Sequence, residues 1–151
     1  MLERETLWMD AALALAAESA ASGDVPVGAL VIGPDGGVLG RGINTRESAH
    51  DPSGHAEVNA LREAGEALGS WNLSGCTLVV TLEPCTMCAG AIVNARVSRV
   101  VFGGWDEKAG AAGSVRDVLR DPRLNHVVEV VGGVRGVEAS TQLKEWFGAK
   151  R

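Results

Sequence analysis

The chain has 151 residues, 46% hydrophobic and 22% charged, a length and balance that fit one folded domain spanning residues 1–151 and argue against disorder. Its net charge of −5 disfavours a uniformly basic nucleic-acid binder. No apolar run approaches the roughly 20 residues of a membrane helix, and the start lacks the layout of a secretory signal, so a cytoplasmic, membrane-free protein is expected.

Thr6–Ala21 is expected to be a helix, with Trp8, Ala12 and Leu15 at helical spacing and Met9, Leu13 and Ala16 beside them. Ser22-Gly23-Asp24 and Pro26 end it. Val27–Ile32 and Val38–Ile43 flank Gly33-Pro34-Asp35-Gly36-Gly37 and predict a β-hairpin. A loop follows over Arg46–Gly54, then a helix over His55–Leu68 closed by Gly69. Thr77–Leu82 is a β-branched strand ended by Pro84, and Cys85–Ala95 a third helix. Arg99–Phe102 and His126–Val131 complete five strands, and the tail from Glu138 to Lys150 is expected to be helical. Strands alternating with helices predict an α/β sheet covered on both faces. The glycine-rich stretch Gly103–Gly113 is a candidate functional loop.

Charge is unevenly spread. Residues 1–95 carry four Lys/Arg against twelve Asp/Glu, and residues 96–151 carry ten against seven. The C-terminal third therefore offers either a phosphate-binding surface or an ordinary mixed-charge face.

Three cysteines cannot form a fully paired disulfide framework. Cys76, inside CTLVVTL, reads as a small core residue. Cys85-x-x-Cys88 follows His55-x-Glu57 after a gap of 27 residues. One imidazole and two thiolates make three zinc ligands, leaving open the fourth position that a catalytic zinc keeps for water. Helix N-termini at His55 and Cys85 favour the thiolate form. Glu57 then stands beside the metal without ligating it, placed to take and return a proton. Two other readings use the same residues. A closed structural zinc site would draw a fourth ligand from His50, His126 or Cys76, and a redox pair would use Cys85 and Cys88 alone. His-x-Glu with a downstream Pro-Cys-x-x-Cys is the signature of zinc nucleobase deaminases.

The chain resembles the bacterial tRNA-specific adenosine deaminases (the TadA family) of the cytidine/deoxycytidylate deaminase superfamily, over nearly its whole length. The matching stretches are Val25–Ala29, His50–Pro52, His55–Glu57, Thr81–Ala91, Arg99–Gly103, Gly110–Ser114 and Asn125-His126. The resemblance implies a three-layer α/β/α cytidine-deaminase-like fold with a five-stranded mixed sheet. It implies a homodimer with one zinc ion per subunit, and hydrolytic conversion of adenosine to inosine at the wobble position of a tRNA anticodon stem-loop. Extruding the base is necessary because the reacting carbon is otherwise stacked. The metal motif is shared with enzymes acting on free guanine or cytidine, which is the alternative substrate class. By the resemblance, Asn44 contacts the flipped base, Val27 and Ala56 line its pocket, and Asp106 and Lys108 lie on the RNA-facing loop. Asn44 and Asp106 are also ordinary turn formers. Trp105 is either a base-stacking side chain or a buried anchor, and His126 is given no role.

Overall fold

The computed structural model describes residues 2–149. It is built from α1 (Glu3–Ala21), β1 (Gly28–Ile32), β2 (Val38–Ile43), α2 (Ala56–Leu68), β3 (Thr77–Leu82), α3 (Thr86–Asn94), β4 (Arg99–Gly104), β5 (Glu129–Val131) and α4 (Gly136–Ala149). The strands form one mixed sheet in the order β2-β1-β3-β4-β5. β1 is antiparallel to β2 and β3, whereas β3, β4 and β5 run parallel.

The sheet divides the core into two layers because successive strand side chains point to opposite faces. Ala29, Val31, Leu78, Val80, Val100 and Phe102 pack under α2 and α3 with Ala56, Ala60, Ala64, Ile92 and Val93. Leu30, Ile32, Val79 and Val101 face the other way, against Met9 and Ala12 of α1 and Val134 before α4. The expected three-layer α/β/α arrangement is therefore present, with helices on both faces of a five-stranded sheet.

Close approach between helix and strand sets which residues are small. A Cβ at Gly28 would collide with the backbone of Ala12 and Ala16 in α1, and one at Gly42 with that of Ala56 and Ala60 in α2. This corrects the expected inner stripe of α1. The buried face is Glu5, Met9, Ala12, Ala16 and Ser19, and the bulkier Trp8, Leu13 and Leu15 sit at its margins. Alanines occupy the seam because β1 passes against the helix backbone there.

The hairpin turn is closed by Gly33 N–H donating to Gly37 O at 2.8 Å and Gly37 N–H to the Asp35 carboxylate at 3.0 Å. Gly69 caps α2 in the left-handed region, with φ of 64°, as expected. Two boundaries differ from the sequence-based expectation. β4 runs on through Gly103 and Gly104; Gly104 pairs with Leu82, and both glycines lie against Ala139 of α4. β5 is shorter than expected: His126 Nε2 meets Val97 O at 2.7 Å, and Val128 N–H donates to Leu119 O at 2.8 Å, so both lie off the ladder. The expected tail helix is present as α4 to Ala149, and its predicted last residue, Lys150, lies outside the described residues. No described helix is long and apolar enough to cross a membrane.

Candidate metal centre and pocket

The site forms where two helices begin beside the end of β3. His55 is the N-cap of α2 and Cys85 the N-cap of α3, both with extended backbone, and Cys88 lies one turn into α3. The Pro84 break between strand and helix sets the two sulfurs on one side. His55 Nδ1 is 3.6 Å from Cys85 Sγ and 3.3 Å from Cys88 Sγ. A tetrahedral zinc with Zn–S of about 2.3 Å and Zn–N of about 2.0–2.1 Å has donor–donor edges of about 3.5–3.8 Å. The three donor atoms lie within 4.8 Å of one another, and among the described residues no fourth His, Cys, Asp or Glu joins them. Donor chemistry and spacing therefore fit a zinc ion with three protein ligands.

Of the fourth ligands required by a closed structural site, none is at hand. His50 is exposed, His126 is held by Val97, and Cys76 is fully buried in the core under α2 and α3. Cys76 is thus the small core residue expected, its thiol pushed up by burial.

The ligand groups perturb one another. A hydrogen bond from the Cys88 thiol, with His55 and against burial, pulls Cys85 down to about 3, so it is a thiolate. Cys88 is pushed up by that same partner and by burial. His55 is raised, first by its hydrogen bond to Cys85. Glu57 is 4% exposed, and burial raises its carboxyl to about 7 although the nearby His55 charge opposes this.

The cluster opens into a cavity of about 230 Å³ lined by Val27, Asn44, His55, Ala56, Glu57 and Cys85, with Asp106 and Ala109 on the far wall. Asn44, Val27, Ala56 and Asp106, the residues expected to meet a substrate, all line this cavity. Lys108 is exposed on the same loop and is not among the lining side chains. Asn44 donates from Nδ2 to Val25 O at 3.2 Å and accepts from Arg46 N–H at 3.1 Å. A carboxamide has two donors and two acceptor sites, so one of each is left for a ligand. Both proposed uses of Asn44, shaping the turn and facing the pocket, are compatible with one side chain. Asp106 accepts from the N–H groups of Lys108 and Ala109 at 3.0 and 3.1 Å, forming an Asx-type turn at the rim. Trp105 stands edge-on against Phe102, with centroids 4.7 Å apart, and is 52% exposed outside the pocket. It is therefore neither the buried anchor expected nor part of the pocket lining, although one ring edge packs on Phe102.

Two carboxylates that sequence reasoning did not single out shape the walls. Asp24 is fully buried and accepts from Glu47 N–H at 2.7 Å, holding the loop that carries Arg46 and Glu47. Burial pushes its carboxyl up, but hydrogen bonds from Ser48, Glu47 and Ser22 outweigh that and hold it below the ordinary value. Glu83, 1% exposed, accepts from three backbone N–H groups of the opposite loop. Burial raises its carboxyl too, and is outweighed by hydrogen bonds from Ser114, Asp106 and Ala112. The only hint in the sequence was an acid directly after the apolar strand TLVVTL.

A three-ligand zinc cluster with a buried acid beside it, between two helix N-termini and against a mixed sheet, defines the zinc-dependent deaminase class. The chain belongs to the cytidine and deoxycytidylate deaminase family, whose zinc-binding region matches residues 2–104. It is similar to the tRNA-specific adenosine deaminase of Bacillus subtilis, 42% identical over 97% of this chain and 90% of that protein. It is 50% identical to the tRNA(Ile)-lysidine synthase of Deinococcus deserti over 92% of this chain, but spans only about a quarter (26%) of that longer protein. Among solved structures it superposes on one from a study of A-to-I editing by tRNA:A34 deaminases at the wobble position of transfer RNA. There the TM-score is 0.86 and identity 39%, covering 91% of this chain and 99% of the other.

Proposed function

We propose that this chain converts adenosine to inosine by hydrolysis at the wobble position of a tRNA anticodon. The observation that carries the proposal is the pocket itself, in which Glu57 and Asn44 face a cavity lined by His55 and Cys85, with the third donor, Cys88, buried directly against His55. Its likeness to tRNA-specific adenosine deaminases over 90% of the length of one of them supports the choice of substrate.

Zinc held by His55, Cys85 and Cys88 would supply Lewis-acid activation of water. Glu57 takes a proton from the attacking water and returns it to the departing amine, so that adenosine and water give inosine and ammonia. Its burial beside the cluster keeps that proton away from bulk solvent. Asn44 orients the base through its free donor and acceptor, while Val27 and Ala56 pack against its faces. Asp106 and Lys108 sit at the rim, where nucleotides flanking the extruded base would pass. An anticodon loop presents bases that are unstacked at small cost. The working form in this reading is a cytoplasmic homodimer with one zinc per subunit.

The test is a panel of anticodon stem-loops beside free adenosine, guanine and cytidine, scored for ammonia and inosine. Inosine in a stem-loop supports the proposal. Efficient deamination of a free base with the stem-loops untouched would replace it with the metabolic alternative that shares the metal motif.

A further inference from the structure

Glu83 ends in a buried carboxylate that no Lys or Arg among the described residues pairs with. Its charge is met by the facing loop, through backbone N–H groups and the Ser114 side chain. Oε1 accepts from Asp106 N–H at 2.9 Å, and Oε2 accepts from Ala112 N–H at 3.0 Å and Ser114 N–H at 3.1 Å. These donors lie at the two ends of the loop that forms the far wall of the pocket. The Ser114 hydroxyl closes that loop by donating to Asp106 O at 2.7 Å. Ala111 N–H donates to Pro84 O at 2.8 Å, and Gly110 bridges Cys85, so the loop is docked on the segment that carries a zinc ligand. Gly110 has no room for a side chain, since a Cβ there would overlap the Glu83 carboxylate and the Ser114 hydroxyl.

We infer that Glu83 is a positioning residue, whose carboxylate fixes the 106–114 loop as the pocket wall facing the metal cluster and thereby sets substrate affinity. The inference deepens the proposed function, on which it rests for the identity of the substrate. Three N–H donors converge on two oxygens, and the fit requires a group that only accepts. In Glu83→Gln the amide NH2 faces one set of donors and leaves it without an acceptor. The loop then has to be ordered by the substrate, and part of the binding energy goes into that ordering. Chemistry at Glu57 is untouched once the site is full.

The zinc-loaded Glu83→Gln protein is compared with wild type on whichever of the stem-loops and free bases wild type converts. The expected result is full zinc content, KM raised about tenfold or more and kcat within about threefold. A merely structural role lowers the active fraction instead, so kcat falling with KM unchanged overturns the inference. Should Glu83→Gln fail to fold, Ser114→Ala loosens the same loop from its exposed side. It is expected to raise KM a fewfold at constant kcat, and an unchanged KM counts against the clamp. Backbone hydrogen exchange gives a reading that needs no substrate. In Glu83→Gln, or in Ser114→Ala should Glu83→Gln fail to fold, the amides of Asp106, Ala112 and Ser114 should lose protection while α2 and α3 keep theirs, and unchanged protection overturns the inference. Wild-type failure on the stem-loops alone would refute the RNA substrate and leave the exchange result to decide the role of Glu83.

Discussion

Cys88 is fully buried and sits 3.3 Å from His55 Nδ1, and among the described residues no further His, Cys, Asp or Glu joins the cluster. Cys88→Ala removes one of three donors. Zinc content of the purified variant should fall well below one per chain, and its melting temperature should stop rising with added zinc, because only a ligand that binds the folded state stabilises it. Asp24, which holds the 46–48 loop rather than the metal, makes a separate case. Its carboxyl is held below the ordinary value, so the stability it contributes is present above the ordinary carboxylate pKa and is lost as pH falls through the folded value. Asp24→Asn should lower stability by about 1.5–3 kcal/mol near neutral pH, the range for hydrogen bonds to a charged group. Urea unfolding at a series of pH values should show the gap to wild type closing on the acid side. A gap that does not change with pH would mean the carboxylate charge plays no part.

At the level of helices and strands, the glycine–alanine seams matter most. Gly40 and Gly42 of β2 lie against Ala60, Ala64 and Ala56 of α2 with no space for a Cβ. Gly42→Ala pushes the backbone at Ala56 and Ala60 away from the strand, which overpacks the seam and should cost about 1–3 kcal/mol. It also tilts the helix whose N-cap is His55, so metal affinity should drop with stability in a zinc-competition titration. A variant that lost stability but kept wild-type zinc affinity would show that α2 does not transmit the strain.

These seams also explain what the sequence made legible. β1, β2 and β3 could be read because apolar β-branched runs stop at Gly, Pro and Asp, and α2 because Gly69 ends it. The buried face of α1 was harder to read. Trp8 and Leu15 are the larger apolar residues, yet Ala12 and Ala16 are buried because Gly28 lies against their backbone. The ligand triad and Glu57 were legible because metal chemistry constrains residue type and spacing at once. Glu83 was not, because its partners are backbone N–H groups 23, 29 and 31 residues away, which no side-chain pattern announces. His126 looked like a strand residue but is engaged off the ladder by Val97.

On the scale of the whole molecule, the basic C-terminal third is less free than its composition suggests. Arg99, Arg120, Arg123 and Arg135 are each ion-paired with an acid. Lys108, however, has no ion-pair partner among the described residues and is exposed on the loop at the pocket rim. Stem-loop binding should therefore weaken with salt by a few phosphate contacts' worth. Lys108→Ala should reduce the slope of log affinity against log salt by about 0.7, the single-strand value for one contact. An unchanged slope would place the RNA elsewhere. The metal centre, by contrast, draws on α2, β3 and α3 together, so its integrity reports on the assembled fold.

The central claim is that His55, Cys85 and Cys88 hold the metal while Glu57 moves the proton. Zinc content and inosine yield measured on the same preparations of wild type and Glu57→Ala test it most directly. The account predicts one zinc per chain in both and turnover lowered by about 10²–10⁴-fold in the variant. Turnover that survives in Glu57→Ala, or zinc that leaves with the carboxylate, would contradict it.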